Sequence, residues 1–131
     1  MSSSMSRVLL IGFAGALGTI ARYLVGLGAG RLLGAGFPYG TLIVNLVGCF
    51  SIAFVTELAL STTLISPTLR LTLTTGFMGG LTTYSSFNLE TTNFIRERAL
   101  AEGIANVAAT LVGCFAAGLL GLALAKRLVE P

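Results

Sequence analysis

The sequence has no histidine and no tryptophan, and it contains only two cysteines. Without an imidazole, histidine-based acid–base catalysis and histidine-ligated metal sites are excluded. Cys49 and Cys114 each stand in an apolar run without Cys-x-x-Cys spacing, which indicates small packing residues rather than a disulfide or a metal site. We expect a protein that is not an enzyme.

Charge is also scarce, since only 10% of the residues are charged, compared with about 25% in an average soluble domain. Apolar residues make up 54% of the chain, and the mean hydropathy is +0.91. This composition is typical of a membrane protein. The net charge of +3 forms no basic cluster, so we expect neither a nucleic-acid partner nor a polybasic lipid-binding tail.

The apolar runs predict an all-α membrane protein with four transmembrane helices in a single domain, residues 1–131. Helices of about 20 residues cross a bilayer, and the length leaves room for little else. The breakers "GAGFP", "STTLISP" and "IRERALAEG" separate the runs. The predicted helices span about 8–33, 39–60, 68–94 and 104–125.

The basic residues that flank these helices are almost evenly divided between the two sides of the membrane. Because the Lys/Arg bias sets the orientation of a membrane protein, nearly equal numbers on the two sides give little preference for either orientation. This even division favours an antiparallel, dual-topology homodimer; the alternative is one orientation fixed by the C-terminal pair. Four basic residues lie with the termini and three lie opposite: Arg7, Arg70, Lys126 and Arg127 against Arg31, Arg96 and Arg98.

Two predicted helices carry polar side chains at membrane depth with four-residue spacing. Thr41 and Asn45 share one face of helix two, and Asn106 and Thr110 share one face of helix four. Such stripes serve either helix-to-helix hydrogen bonding or a polar pathway, and two parallel stripes favour a pathway. Arg22 lies more than ten residues from either end of helix one, so we expect it to face protein or a wet cavity that attracts anions.

The stretch "TTGFMGGLTTYSSF", residues 74–87, is unusual for a membrane helix. Its three glycines in five residues predict a break in helix three, where freed carbonyls are good ligands for a hard cation. The spacing of Gly76 and Gly80, like that of Gly26, Gly30 and Gly34, also predicts close helix packing. Tyr84 and Phe87 share a face, and their ring edges suit either a small anion or core packing.

Three blocks carry a resemblance to a known family. "GALGTIARY" (15–23), "GTLIVNLVGCF" (40–50) and "TTGFMGGLTTYSSF" (74–87) resemble the signature blocks of the bacterial Fluc, or CrcB, fluoride channels. The resemblance implies dual-topology homodimers in the bacterial cytoplasmic (inner) membrane, with two antiparallel pores. These conduct fluoride passively, select against chloride and relieve fluoride toxicity.

The resemblance also implies roles for individual residues. A structural sodium ion at the dimer interface would be held by the backbone carbonyls of Gly79 and Thr82 from both subunits. Asn45 would donate to fluoride and Phe87 would meet it edge-on. Further pore positions are Thr41, Ser86, Asn106 and Thr110, and the vestibules would contain Arg22 and Glu90.

Tyr84 departs from the family pattern, which has phenylalanine at this position. The ring edge is retained, but the added hydroxyl leaves three alternatives open. It binds fluoride, it blocks the pore, or it forms a hydrogen bond elsewhere.

Two other classes of function compete with this one. A dual-topology, proton-coupled exporter of cationic metabolites or drugs needs a carboxylate deep in the membrane. Helix one has no glutamate, but Glu57 and Glu90 keep that alternative open. A non-transporting assembly subunit would explain the glycines and leave the polarity of Asn45, Thr110 and Arg22 without a purpose.

Overall fold

The computed structural model describes residues 3–129, with side chains from residue 4 onward, and this part of the chain is entirely helical apart from short turns. The termini of the predicted domain, residues 1, 2, 130 and 131, lie outside the described residues. The all-α prediction is confirmed. The helices are α1 Ser3–Leu33, α2 Tyr39–Ser61, α3 Pro67–Leu71, a π-helical segment Thr72–Met78, α4 Gly79–Leu81, α5 Tyr84–Arg96 and α6 Leu100–Val129.

Local signals explain where several of these helices begin and end. Gly34 follows α1 with a φ of +87°, a left-handed conformation that glycine adopts without steric cost. Proline at the first position of α3 needs no hydrogen-bond donor, and the Ser66 side chain accepts a bond from the Leu69 N–H. The main differences from the predicted bounds are at α1 and α6, which begin earlier in the chain.

The third pass is interrupted, but not where the glycines predicted the break. The chain runs helically from Pro67 to Leu81, with a π-helical stretch, and only then becomes extended at Thr82 and Thr83 before α5 begins. The prediction of a break within "TTGFMGG" was therefore wrong in position. Helical geometry continues through all three glycines.

These glycines instead allow close contact with α1. A Cβ atom on Gly80 would overlap the carbonyl oxygen of Gly15, and one on Gly18 would overlap the carbonyl oxygen of Phe77. A Cβ on Gly76 would lie 2.9 Å from Ala14 Cβ. The close packing predicted from Gly76 and Gly80 is confirmed, because the two helical backbones meet without side chains between them.

Helices α2 and α6 also pack backbone to backbone. A Cβ on Gly121 would overlap the carbonyl oxygen of Phe50, and one on Gly118 would lie 3.7 Å from the Cys49 carbonyl oxygen. On α1 the glycine pattern behaves differently, because a Cβ on Gly30 or Gly34 would meet nothing within 4 Å. The close packing expected at those two positions is not found within this chain.

The protein is a multi-pass integral membrane protein. Among the described residues, three helices are long and apolar enough to cross a membrane: Ser4–Leu33, Tyr39–Ser61 and Leu100–Val129. The third pass is divided by its break, so no single helix spans it. Many large apolar side chains point outward, including Phe13 at 68% and Phe115 at 72% exposure, as expected for a surface that meets lipid or another chain.

Candidate functional site

Asn45 holds the break of the third pass in place. Its Oδ1 accepts a hydrogen bond from the Thr83 N–H at 2.8 Å, and its Nδ2 donates to the Thr83 carbonyl oxygen at 3.1 Å. Both groups are buried, and Asn45 is only 7% exposed. The amide thus replaces the helical partners that Thr83 lacks in its extended conformation.

Thr83 then starts α5 with its side chain. Its Oγ1 accepts a bond from the Ser86 N–H at 3.2 Å and donates to Ser86 Oγ at 3.0 Å. Ser86, a predicted pore residue, therefore belongs to the cap of α5. Sequence reasoning did not assign Thr83 a role, although the pattern of a threonine before a helix is an N-cap signal.

A cavity of about 790 Å³ lies beside this break, between α2, α5 and α6. Three of the predicted pore residues, Asn45, Tyr84 and Thr110, lie along its wall. The polar lining also includes Thr56, Glu57, Thr82 and Thr83. The remaining lining is largely apolar and includes Ile52, Leu111, Phe115 and Leu119.

Thr110 contributes an unsatisfied polar atom to this wall. Its residue is 7% exposed, and its Oγ1 has no hydrogen-bond partner among the described residues. A hydroxyl buried without a partner carries a desolvation penalty of about 1–3 kcal/mol, which a bound ion or water would offset. The second N–H of the Asn45 amide is likewise left for a ligand, since an amide nitrogen carries two donors.

A second cavity of about 360 Å³ lies at the end of the protein where α1 and α2 meet α5. Its lining includes Gly26, Gly30, Thr41 and Glu90. Thr41 Oγ1 donates to Glu90 Oε1 at 2.6 Å, while Glu90 Oε2 is buried without a partner in the described part of the chain. The predicted pore residue Thr41 and the predicted vestibule residue Glu90 are therefore direct neighbours.

The two cavities occupy successive levels along the same helices. Thr41 lines the smaller one and Asn45 the larger one, one helical turn or about 6 Å apart along α2. On α5, Glu90 and Tyr84 mark the same two levels. Phe87 lies between Tyr84 and Glu90 on α5, so its ring is at the level where a path from one cavity to the other would pass. Its side chain is 5% exposed.

The two aromatic rings that share a face in the sequence are in contact. The Tyr84 and Phe87 ring centroids lie 5.4 Å apart at an interplanar angle of 62°, an edge-to-face arrangement. Tyr84 is 74% exposed, whereas Phe87 is buried. Within this chain Tyr84 therefore stands at the open side of the larger cavity.

Five of the predicted site residues line neither cavity: Gly79, Ser86, Phe87, Asn106 and Arg22. Asn106 is 1% exposed and donates from Nδ2 to Thr91 Oγ1 at 3.0 Å, which joins α6 to α5. Arg22 is half-buried in the middle of α1 and lines neither cavity. Their roles in the pore and in the vestibule remain predictions.

The break also changes the backbone groups available to a cation. In a continuous helix the Thr83 N–H would bond the Gly79 carbonyl, but here it bonds Asn45. Gly79 is exposed on the surface of the chain, and Thr82 is extended. Among the described residues no group of three or more His, Cys, Asp or Glu side chains could hold a metal. The sodium site at the Gly79 and Thr82 carbonyls remains a prediction.

Most of the chain matches a known protein family. The family model described as "CrcB-like protein, Camphor Resistance (CrcB)" matches residues 9–122, which include both cavities and the break. The chain belongs to the CrcB family. The resemblance seen in the three sequence blocks is thereby confirmed.

Curated relatives of this CrcB-family chain match it over nearly its full length. A "Fluoride-specific ion channel FluC" of Sorangium cellulosum is 52% identical over 125 residues, which cover 95% of this chain and 98% of that protein. Proteins with the same name from Chlorobaculum tepidum and Geobacter metallireducens are 49% and 44% identical. Those matches cover 93% and 95% of this chain and 96% and 100% of the relatives.

Proposed function

We propose that this protein is a passive, fluoride-selective channel of the bacterial inner membrane that lets a cell discharge toxic fluoride. The proposal is supported by the name shared by full-length relatives that are 40–52% identical. The structural observation that carries it is the break at Thr82 and Thr83, which Asn45 holds beside the larger cavity. In the wall of that cavity the Thr110 hydroxyl is buried without a partner among the described residues.

The groups along this route suit a small, strongly hydrated anion. Fluoride that leaves water must exchange its hydration shell for other donors, and the free N–H of Asn45 and the Thr110 hydroxyl supply two. The edge of the buried Phe87 ring carries partial positive charge without offering a full ionic partner. Because neither cavity is lined by a Lys or Arg side chain, these donors bind the anion without holding it too tightly to leave.

The proposed assembly is an antiparallel homodimer with two pores. The near-even division of basic residues favours insertion in both orientations, and the outward apolar surface, including Phe115, suits a second copy as well as lipid. In this assembly the exposed Gly79 carbonyl and the Thr82 carbonyl of each copy would meet at the two-fold axis. A sodium ion between them would offset the repulsion among the carbonyl dipoles.

The proton-coupled exporter is not favoured. Glu57 accepts a hydrogen bond from Ser61 in the last turn of α2, and Glu90 accepts one from Thr41 in the first turn of α2. Both carboxylates therefore lie near the ends of α2 and not at its middle, where a proton-coupled exporter would need one. The curated relatives reported above are all named as channels.

Anion efflux from liposomes tests the proposal. Purified protein should release fluoride from potassium-loaded liposomes once valinomycin allows the counterion to leave, and a chloride electrode beside it should show no release. Asn45→Ala should abolish fluoride efflux and lower stability by about 1–3 kcal/mol, because it leaves the Thr83 backbone unsatisfied. Equal fluoride and chloride release, or normal fluoride efflux from a folded Asn45→Ala dimer, would contradict the proposal.

A further inference from the structure

The two cysteines of the chain lie together in the wall of the larger cavity. Cys49 is near the middle of α2 and Cys114 near the middle of α6, so both are at the depth of the bilayer centre. Both are half-exposed free thiols, and both line the cavity of about 790 Å³. Cys114 lies one turn before Gly118, and a Cβ on Gly118 would be 3.7 Å from the Cys49 carbonyl oxygen, so the two cysteines stand on facing turns of α6 and α2.

Helix packing holds this pair in a fixed position. One turn beyond Cys114, Gly118 brings α6 against the Cys49 carbonyl, and Gly121 brings it against Phe50. Because no side chain separates the two backbones there, the thiols cannot move apart without a shift of whole helices.

The cavity wall at this level also carries a polar group without a partner among the described residues. Thr110 precedes Cys114 by one turn of α6, lines the same cavity and has the buried, unpartnered hydroxyl described above. An ion that contacts Thr110 is therefore about one helical turn from Cys114, in the cavity that Cys49 also lines. Much of the remaining lining is apolar, and its one charged side chain, Glu57, lies about two helical turns beyond Cys49 on α2.

We propose that Cys49 and Cys114 form a binding site for a soft d¹⁰ cation, such as Hg²⁺, Ag⁺ or Cu⁺, with one thiolate from each helix. Soft thiolate ligands select these metals over hard cations. With mercuric chloride the reaction is balanced as two thiols and HgCl₂ giving one S–Hg–S bridge and two HCl. A metal held there narrows the larger cavity beside Asn45 and Thr110 and blocks the path.

The blocking part of this proposal rests on the proposed channel function, whereas the binding part does not. Binding is measured directly on the purified, reduced wild-type protein by elemental analysis and by mercury X-ray absorption after addition of mercuric chloride. We expect one mercury per chain with two sulfur neighbours. The chain has no other cysteine, so Cys49→Ser/Cys114→Ser is a matched variant that should bind none.

The single variants distinguish a pair from two separate thiols. If the sulfur atoms act together, Cys49→Ser and Cys114→Ser should each weaken mercury binding by on the order of a hundredfold. In the wild type the second thiolate binds the same ion at a high effective concentration, and each single variant loses that contribution. Two mercury ions per wild-type chain, each with one sulfur neighbour, would overturn the proposal.

Fluoride efflux then tests the consequence of binding, with each variant compared with its own rate before addition of metal. Mercuric chloride should reduce wild-type efflux to the rate of protein-free liposomes, and excess dithiothreitol should restore it. The double variant should keep its own rate. Unchanged wild-type efflux with one mercury bound per chain would overturn the block, whereas absence of efflux before mercury is added would count against the channel function itself.

Discussion

At the residue scale, the decisive side chain is Asn45. Its amide uses one donor and one acceptor in hydrogen bonds with the backbone of Thr83. A residue expected to bind an ion therefore also fixes the extended segment at Thr83. Asparagine suits both tasks because it carries two donors and an acceptor on one planar group. Aspartate would lose the donors, and threonine would be too short to span both backbone groups.

Tyr84 supports a prediction at the same scale. Its ring meets Phe87 at 5.4 Å and is 74% exposed, so the ring contact does not depend on the hydroxyl. Tyr84→Phe should therefore leave fluoride efflux equal to wild type or raise it, when measured with an electrode in matched liposomes. Phe87→Ala is the paired control and should lose efflux, because it removes the buried ring. A large loss in Tyr84→Phe would show that the hydroxyl binds the ion.

At the scale of elements, the third pass combines two opposite features. The segment with glycines stays helical and packs against α1, while the two threonines that follow it become extended. Glycine destabilises a helix in water. Inside a bilayer, however, an unpaired backbone costs more than a helical glycine, and the absence of a side chain lets two helical backbones pack closely.

This interpretation of the glycines predicts a position-specific effect of alanine. Gly18→Ala should destabilise the protein by about 1–3 kcal/mol, because the new methyl group would overlap the Phe77 carbonyl of the facing backbone. Gly12→Ala, on the same helix, meets nothing within 4 Å and should be neutral or slightly stabilising. Thermal unfolding in detergent measures both. Equal midpoints for the two variants would show that α1 and the third pass do not pack as described.

At the scale of the whole molecule, the evenly divided basic residues lead to a prediction about topology. A reporter fused to the C-terminus should be found on both sides of the inner membrane in comparable amounts. Removing the C-terminal pair with Lys126→Ala/Arg127→Ala changes the balance from four against three to two against three. That variant should favour one orientation and lose efflux, and co-expression of a variant with the opposite bias should restore it. A single orientation of the wild-type reporter would exclude the antiparallel dimer.

The proposed sodium ion leads to a second prediction at this scale. If carbonyls of Gly79 and Thr82 from two copies surround a cation, the dimer should unfold at a lower temperature when sodium is replaced by N-methylglucamine at equal ionic strength. Potassium and lithium serve as controls for size. Identical midpoints in all four salts would show that these carbonyls hold no ion.

Composition and periodicity were enough to predict the helical fold, the polar faces and the family. Long apolar runs require helices in a bilayer, because a spanning segment must satisfy its own backbone, and so the all-α fold and most helix bounds were predicted. The spacing of Thr41 and Asn45 placed them on one face of α2, and the three blocks indicated the family. These inferences depend only on residues close together in the chain.

The position of the break in the third pass and the contacts between side chains depend on how the helices pack. The break lies at Thr82 and Thr83 because an amide 38 residues earlier binds the Thr83 backbone, and no local pattern contains that partner. For the same reason the cysteines were predicted only as packing residues, although the contact between α2 and α6 places them on facing turns beside the same cavity. Contacts between distant segments depend on how helices pack, and local propensity does not encode that packing.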